Sequence, residues 1–241
     1  MSATVPLVVL IDVDNTLLDN DRFASDLRAH LDAGFGSAEC ARYWRIYDAL
    51  RAESGYADYL GALQRFRSAA LDHHALLQVS SFVLDYPFAE RLYPGALAAL
   101  AHLHTLGTTV VLSDGDIVFQ PRKIMRSGLW DAVAGRVLVT VHKERALELV
   151  EQAFPARHYV LIDDKPALLA AIKRRLGARL TSVFVQQGHY AAVAWPGAEP
   201  PADLVLDGID DACALASDQL QSGGCNTHAA FPVTAQYQEP T

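Results

Sequence analysis

Short aliphatic runs recur along the chain and alternate with segments of helical spacing. The first run, residues 7–11, is continuous and partly β-branched, a pattern typical of a strand buried on both faces of a parallel sheet. Five similar runs follow, at residues 109–112, 137–139, 159–162, 182–185 and 204–206. Helical patterns occupy residues 95–106, 143–154 and 166–176 between them. This alternation predicts an α/β fold with a doubly wound parallel sheet.

Residues 20–87 interrupt this alternation. They contain no buried-strand run, and Phe23, Leu27 and Leu31 repeat at helical spacing among many aromatic residues. We therefore predict a helical subdomain at 20–87, inserted after the first strand. The core is predicted to consist of residues 1–19 and 88–216. Residues 217–241 have no periodicity and are predicted to form a mobile tail.

Composition and charge narrow the class of protein. The chain has 241 residues, 51% of them hydrophobic and 20% charged, which is typical of a globular protein. A net charge of −8 disfavours binding to a nucleic-acid backbone. The three cysteines, Cys40, Cys213 and Cys225, lie far apart and predict neither a zinc site nor a disulfide framework. The apolar run at 7–11 is too short for a signal peptide or a membrane span, so we expect a cytoplasmic protein without a membrane partner.

Four of the predicted strands are followed by polar residues of chemical interest. They are Asp12-Val13-Asp14-Asn15-Thr16, Ser113-Asp114, Lys143 and Asp163-Asp164. Each alone has an ordinary explanation, because strand ends commonly carry turn formers, helix caps or solvated lysines. Their joint occurrence is far less ordinary, since the carboxyl ends of parallel strands meet at the edge of the sheet where ligands bind.

The residue types fit phosphoryl transfer. Asp12 and Asp14 lie two apart in an extended segment and therefore point to the same side. One carboxylate can attack phosphorus while the other handles the proton of the leaving oxygen. The repulsion between two anions is offset by Mg²⁺, whose preferred oxygen ligands Asp12 and Asp163 can supply. Lys143 adds a cation, and Ser113 and Thr16 can donate hydrogen bonds to phosphoryl oxygens; Asp114 is a further candidate for substrate binding.

Together, the Asp-x-Asp-x-Thr signature, Ser113, Lys143 and the Asp163-Asp164 pair resemble the haloacid dehalogenase (HAD) superfamily over roughly residues 7–186. The resemblance implies a Rossmann-like core and dependence on Mg²⁺. It also implies that Asp12 is the nucleophile and that Asp14 is the general acid/base and lends the metal its backbone carbonyl. Asp163 would be a metal ligand, and the inserted helices would form a cap over the substrate.

Two assignments stay open within this pattern. Asp164 either reaches the metal through water or holds Lys143, because the second acidic residue that many family members carry a few positions later is absent. The lysine that stabilises the phosphoryl group is either Lys143 or Lys123. We favour Lys143 because it follows a predicted strand directly and opens a helical pattern.

Three other functions compete with a phosphatase. A dehalogenase also uses a nucleophilic carboxylate, but it needs neither a metal nor the acid that Asp14 provides. A receiver-like signalling module has no room for an insertion of more than sixty residues. A non-catalytic member of the family would lose no activity on replacement of Asp12. We therefore favour a Mg²⁺-dependent phosphohydrolase.

The expected substrate is a small phosphorylated metabolite, because a cap would exclude folded phosphoproteins. The sequence leaves open whether the phosphoryl group passes to water or to an alcohol. Aromatic residues of the cap (Tyr43, Trp44, Tyr47) could stack on a substrate ring, and arginines (Arg42, Arg45, Arg51) could hold a second anion. For each of them we favour the simpler interpretation that the aromatic residues pack the cap and the arginines face water.

Overall fold

A computed structural model describes residues 5–68, 71–193 and 199–221, and in it six parallel strands form one sheet. The strands are β1 (Val5–Ile11), β2 (Thr108–Asp114), β3 (Val137–Thr140), β4 (Ala156–Asp163), β5 (Leu180–Val185) and β6 (Leu204–Leu206). Their spatial order is β3-β2-β1-β4-β5-β6, and Ile11 of β1 is paired with Val111 and Ile162. This order is that of a doubly wound Rossmann-like sheet, so the predicted fold class is confirmed.

Four helices follow the first strand, in the region where the sequence predicts an inserted subdomain. They are α1 (Asn20–Phe35), α2 (Ser37–Ser54), α3 (Tyr59–Phe66) and α4 (His73–Asp85). Side chains of Asp19, Asp58 and Asp72 accept hydrogen bonds from the first turns of α1, α3 and α4, as N-caps do. The described residues between 20 and 87 contain no strand.

The remaining helices lie between and after the later strands. They are α5 (Ala96–Leu106), α6 (Phe119–Arg126), α7 (Leu129–Ala132), α8 (Leu147–Ala153), α9 (Pro166–Leu176), α10 (Gly188–Val193) and α11 (Ser217–Gln221). The helical patterns at 95–106 and 166–176 agree with α5 and α9. The helix predicted at 143–154 is wrong at its start, because Lys143–Arg145 form a separate 3₁₀ turn before α8.

Alternation along β1 divides the core between the two faces of the sheet. Leu7, Val9 and Ile11 belong to one buried cluster, and Val8 and Leu10 belong to another. Both faces are covered by helices, which explains why the strands are continuous apolar runs rather than alternating ones.

The inserted helices share their core with one face of the sheet. Phe23 of α1 contacts Phe119 of α6 and Phe88, with ring centroids 5.8 and 5.2 Å apart. The buried side chains of α1–α4 form one continuous cluster with Leu7, Val9 and Ile11 of β1. The predicted division into a core (1–19 and 88–216) and a cap (20–87) therefore stays a prediction.

The predicted tail is wrong at its start. Residues Ser217–Gln221 form α11, and Leu220 is fully buried while its carbonyl accepts a hydrogen bond from Thr181 Oγ1. Leu220 is a single apolar residue among polar ones, too weak a pattern to predict a helix. The rest of the tail lies outside the described residues, as does Cys225. Cys40 is buried and Cys213 exposed, and both are free thiols.

Among the described residues, every helix is too short or too polar to span a lipid bilayer.

Candidate active site

The candidate site lies at the carboxyl ends of β1 and β4. These strands are neighbours at the point where the sheet reverses its winding direction, which is where open α/β sheets bind ligands. Asp12 follows β1 directly, and its backbone N–H donates to the carbonyl of Ile162 on β4. Asp163 is the last residue of β4. The sheet thus brings together two aspartates that lie far apart in the sequence.

A tight turn after Asp12 leads the chain into the inserted helices. The backbone N–H groups of Thr16, Leu17 and Leu18 all donate to the carbonyl of Val13. Asn15 has a φ of 60°, in the left-handed region that asparagine tolerates better than most residues. Its Oδ1 accepts hydrogen bonds from the backbone N–H groups of Asn20 and Asp21 at the start of α1.

Lys143 lies fully buried between Asp12 and Asp163. Its Nζ is 2.6 Å from Asp12 Oδ1 and 2.7 Å from Asp163 Oδ2. Burial alone would lower the pKa of Lys143, but the two carboxylates outweigh it and raise that pKa. Burial alone would likewise raise the pKa of Asp12, and the nearby cations Lys143 and Lys165 bring it below its usual value. The lowered pKa favours the ionised form of the Asp12 carboxylate.

Asp12, Asp163 and Asp164 present carboxylate oxygens that all lie within 4.8 Å of one another. Asp12 Oδ2 and both oxygens of Asp164 are buried without a hydrogen-bond partner among the described residues. Burial, together with Asp163 and Asp12, raises the pKa of Asp164 to about 9. An unpartnered buried carboxylate is costly unless a cation or a proton compensates it. This all-oxygen donor set fits a divalent cation such as Mg²⁺.

The two aspartates at the end of β4 are used differently. Asp163 Oδ2 accepts from Lys143 and its Oδ1 accepts from the backbone N–H of Lys165, at 2.7 and 2.9 Å. Asp164 has no such partner, and it lines the cleft. The sequence left open whether Asp164 contacts Lys143. In the structure Lys143 contacts Asp163 instead, and the two oxygens of Asp164 are available for a metal.

The second lysine, Lys123, contacts a different carboxylate. Its Nζ lies 2.7 and 3.0 Å from the two oxygens of Asp14 and 3.0 Å from Asn20 Oδ1. Lys123 is 1% exposed, and its Nζ lies 5.3 Å from the ring centroid of Phe119. Gln120, one turn earlier on α6, donates to Asp14 Oδ2 at 3.2 Å. Lys143 and Lys123 therefore do not occupy one position, because Lys143 contacts Asp12 and Asp163 whereas Lys123 contacts Asp14.

The remaining predicted residues lie around this centre. Ser113 Oγ donates to Asp12 Oδ1 at 3.3 Å and accepts from Gln120 Nε2 at 2.9 Å. Asp114 lines the cleft and accepts from Thr140 Oγ1 at 2.7 Å, and burial raises its pKa. Thr16 is buried outside the cleft lining, and its hydroxyl has no hydrogen-bond partner among the described residues. A contact between Thr16 and a phosphoryl group stays a prediction.

A cleft of about 270 Å³ opens onto the site between the sheet edge and the inserted helices. It is lined by the predicted Asp14, Asp114 and Asp164 and by residues that the sequence analysis did not assign to the site, including Arg28, Tyr56, Lys165, His189 and Tyr190. His189 Nδ1 lies 2.7 Å from Asp21 Oδ1, which links the segment after β5 to the start of α1. The position of Lys165 directly after Asp163-Asp164 was a usable sequence signal. For Arg28, Tyr56 and Tyr190 there was none.

Some of the cap residues considered for substrate contacts lie away from the cleft. Tyr43 is buried and donates to the carbonyl of Tyr59, and Arg42 pairs with Glu39 at 2.7 Å. Arg45 is exposed and does not line the cleft. Three others, Trp44, Tyr47 and Arg51, line it at helical spacing on one face of α2.

Gly188 brings the segment after β5 against the turn that follows Asp12. Its φ is +65°, and a Cβ built on it would lie 2.5 Å from Asn15 Cβ. We expect Gly188→Ala to lower the free energy of unfolding by about 2–4 kcal/mol through strain and overpacking. Gly128→Ala is the matched control, because φ is +82° there and no atom lies within 4 Å of the added Cβ. Urea denaturation measures both. Equal losses in the two variants would contradict the close packing at Asn15.

Comparisons with known proteins assign the family. The model of the haloacid dehalogenase-like hydrolases matches residues 7–194. A haloacid dehalogenase-like hydrolase from Burkholderia xenovorans LB400 is 56% identical, with a TM-score of 0.83 over 88% of this chain and 99% of that chain.

More distant structures share the fold. The HAD-hydrolase YfnB from Bacillus subtilis, bound to magnesium, is 14% identical, with a TM-score of 0.59 over 86% of this chain and 97% of that chain. The L-2-haloacid dehalogenase PA0810 is 20% identical, with a TM-score of 0.53 over 88% and 99%. No curated protein matches the sequence significantly. On the family model and the 56% identical structure, the chain belongs to the haloacid dehalogenase-like hydrolase family.

Proposed function

We propose that this hydrolase is a Mg²⁺-dependent phosphatase that acts on a small phosphorylated metabolite through a phosphoryl-Asp12 intermediate. The observation that carries the proposal is the pairing of two carboxylates with different surroundings. Asp12 is ionised and contacts Lys143, whereas Asp14 lines the cleft and is held by Lys123 and Gln120. Attack on phosphorus requires the first, and protonation of an alkoxide leaving group requires the second.

The chain's own residues account for each part of the transfer. Asp12 Oδ2, which has no partner in the described part of the chain, supplies the attacking oxygen or a metal ligand. Lys143 and Ser113, both buried next to Asp12, stabilise charge on the phosphoryl oxygens. Asp14 delivers a proton to the leaving oxygen and then removes one from the attacking water. The inserted helices close the cleft as a cap and limit the access of bulk water.

Asp12, Asp164 and the backbone carbonyl of Asp14 would hold the Mg²⁺, with Asp163 as a further or indirect ligand. A cation held there would offset the negative charge of the phosphate and of the buried carboxylates. A dehalogenase would need neither a cation nor an acid for its leaving group, so the Asp14 carboxylate in the cleft and the buried Asp164 beside Asp12 would have no chemical role. This is the reason for preferring phosphate esters over haloacids as substrates.

The test is hydrolysis of a panel of phosphate monoesters by the purified protein, with Mg²⁺ and with EDTA, alongside chloride release from 2-chloropropionate. We expect phosphate release that requires Mg²⁺ and no chloride release. Chloride release without phosphate release would replace the proposal with a dehalogenase. Failure to turn over either class would favour a non-catalytic member of the family.

Mg²⁺ affinity is expected to depend on pH through Asp164. With a pKa of about 9 in the metal-free protein, this side chain carries a proton at neutral pH that the cation must displace. The Kd for Mg²⁺ should therefore fall by about tenfold per pH unit between pH 6 and 8. Calorimetric titration at three pH values measures it. Asp164→Asn should bind Mg²⁺ more weakly and without this pH dependence, while the exposed Asp131→Asn serves as control. An affinity independent of pH would contradict the assignment.

The same linkage sets how stability depends on pH. The pKa of Asp164 is raised in the folded, metal-free protein from 3.8 to about 9, so the folded state binds more protons than the unfolded state between these values. Without Mg²⁺, this group therefore lowers the free energy of unfolding as pH rises from about 4 towards 9. Added Mg²⁺ should raise Tm more at pH 8 than at pH 6.

A further inference from the structure

The inserted helices place two arginines on the wall of the cleft. Arg28 of α1 and Arg51 of α2 line the same cavity as Asp14, Asp114 and Asp164. The sheet edge supplies the carboxylates of the candidate chemistry, and α1 and α2 supply these two cations. A ligand that fills a cavity of about 270 Å³ is therefore exposed to both groups of charges.

Neither arginine has a carboxylate partner among the residues that the structure describes. Five carboxylates line the cavity, at Asp14, Asp21, Asp48, Asp114 and Asp164. In the described part of the chain none of them forms an ion pair with Arg28 or Arg51 at 4.0 Å or less. Arg42, on the same helix as Arg51 but away from the cleft, is paired with Glu39.

Both guanidinium groups are nevertheless held in place. Arg51 Nη2 donates to Tyr190 Oη at 2.6 Å, so that α2 and the segment after β5 meet at this bond. The guanidinium of Arg28 lies over the ring of Trp44, 4.4 Å from its centroid. Arg51 uses one of its five N–H donors in these contacts, which leaves most of its donors for a ligand.

The surfaces next to the arginines are aromatic. Trp44, Tyr47, Tyr56, Tyr59 and Tyr190 all line the cavity. Such walls suit the organic part of a small molecule, and cations held among aromatic rings suit an anionic group at its end. The cleft therefore places two arginines without a carboxylate partner next to aromatic side chains, in addition to Lys165, whereas Lys143 is buried and outside the cavity lining.

We propose that Arg28 and Arg51 bind a second anionic group of the substrate, a carboxylate or a second phosphoryl group, so that the substrate is a phosphate monoester bearing two anionic ends. This inference rests on the proposed phosphatase function. A guanidinium without a carboxylate partner favours a ligand that carries an anionic group, and this defines the class of substrate. The transferred phosphoryl group binds at Asp12 and Lys143, and the second anion binds at the arginines.

The test compares esters of nearly equal shape and different charge. 4-Carboxyphenyl phosphate carries the second anion, 4-carbamoylphenyl phosphate is its neutral counterpart, and 1,4-phenylene bisphosphate carries a second phosphoryl group. We expect the wild type to prefer the better of the two anionic esters over the amide by about tenfold or more in kcat/KM, mainly through KM. Whichever anionic ester is preferred identifies the group. Equal kcat/KM values for all three esters would overturn the proposal.

Variants separate the arginines from a general effect of charge. Arg51→Gln and Arg28→Gln should each lower the ratio of anionic to neutral ester by about fivefold or more. Arg45→Gln is the matched control, because Arg45 is exposed on α2 outside the cavity lining, and it should keep the wild-type ratio. A ratio that is the same in Arg51→Gln, Arg28→Gln and Arg45→Gln would overturn the proposal.

A binding measurement keeps this inference distinct from the proposed function. Calorimetry with Asp12→Asn and Mg²⁺ gives the Kd of each ester without turnover. Tighter binding of an anionic ester that is lost in Asp12→Asn/Arg51→Gln would support the second anion site even if the wild type hydrolysed none of the esters. Hydrolysis of all three esters with equal Kd values would leave the phosphatase intact and overturn the second anion site.

Discussion

Replacing Asp12 with asparagine is expected to lower the hydrolysis of every phosphate ester by about 10⁴-fold or more, because the attacking carboxylate is lost. The variant should stay folded, since an amide oxygen can still accept from Lys143, whose Nζ lies 2.6 Å from Asp12 Oδ1. Steady-state kinetics and thermal unfolding measure the two effects. The sensitivity to loss of the nucleophile follows from the site itself, since Asp14 is engaged by Lys123 and Gln120 and is not free to replace Asp12.

Asp131→Asn is the matched control for Asp12→Asn. Asp131 is exposed in α7, away from the cleft, and its replacement removes the same charge. We expect its kinetics to equal those of the wild type. Residual activity of Asp12→Asn above about 1% of wild type, in protein with an unchanged Tm, would contradict a nucleophilic role for Asp12.

The two buried lysines are expected to differ in how their loss depends on the leaving group. Lys143→Met should lower kcat by about 10³-fold for 4-nitrophenyl phosphate and for an alkyl phosphate alike, because the phosphoryl group itself loses a cation. Lys123→Met should affect the alkyl ester about tenfold more than the nitrophenyl ester. The reason is that Lys123 holds Asp14, and only the alkoxide depends strongly on protonation by that residue.

Stability must be followed in the same two variants. Each substitution removes the buried lysine charge from an ion pair with an aspartate. This lowers the free energy of unfolding by about 3–5 kcal/mol when the carboxylate charge stays behind. Lys143→Arg and Lys123→Arg keep the charge and serve as second variants if the methionine variants unfold. A loss independent of the leaving group in both Lys123 variants would contradict a role through Asp14.

Much of the core could be predicted because its signals are local. β1 and β4 lie in the middle of the sheet with both faces covered, so their residues are continuously apolar and easy to recognise. Asp12 and Asp163 could be placed near each other for the same reason, since parallel strands end at one edge. The 3₁₀ turn at Lys143–Arg145 was not predictable, because its residues also have good helix propensity.

The contacts of the lysines and the cleft could not be predicted in this way. From the sequence, Lys143 and Lys123 are alternatives for the lysine that stabilises the phosphoryl group. Only the packing of α6 beside Phe23 and Phe88 directs Lys123 to Asp14. Arg28 lies on a helix whose pattern indicates only which face is buried. Its place in the cleft depends on how α1 and α2 meet the segment after β5, which no local pattern contains.

The proposed mechanism requires that Asp12 carries a phosphoryl group during turnover and that water then attacks phosphorus. The most direct measurement is a single turnover of a phosphate monoester in H₂¹⁸O, with excess protein and Mg²⁺. Samples are quenched with acid over time. Mass spectrometry then measures the peptide that contains Asp12 and the phosphate that was released. We predict a transient phosphoryl adduct on Asp12, ¹⁸O in the released phosphate and none in the Asp12 carboxylate. Two results would contradict this mechanism. One is incorporation of ¹⁸O into the Asp12 carboxylate, which occurs when water attacks the carbonyl of a carbon ester. The other is release of phosphate without any adduct on Asp12.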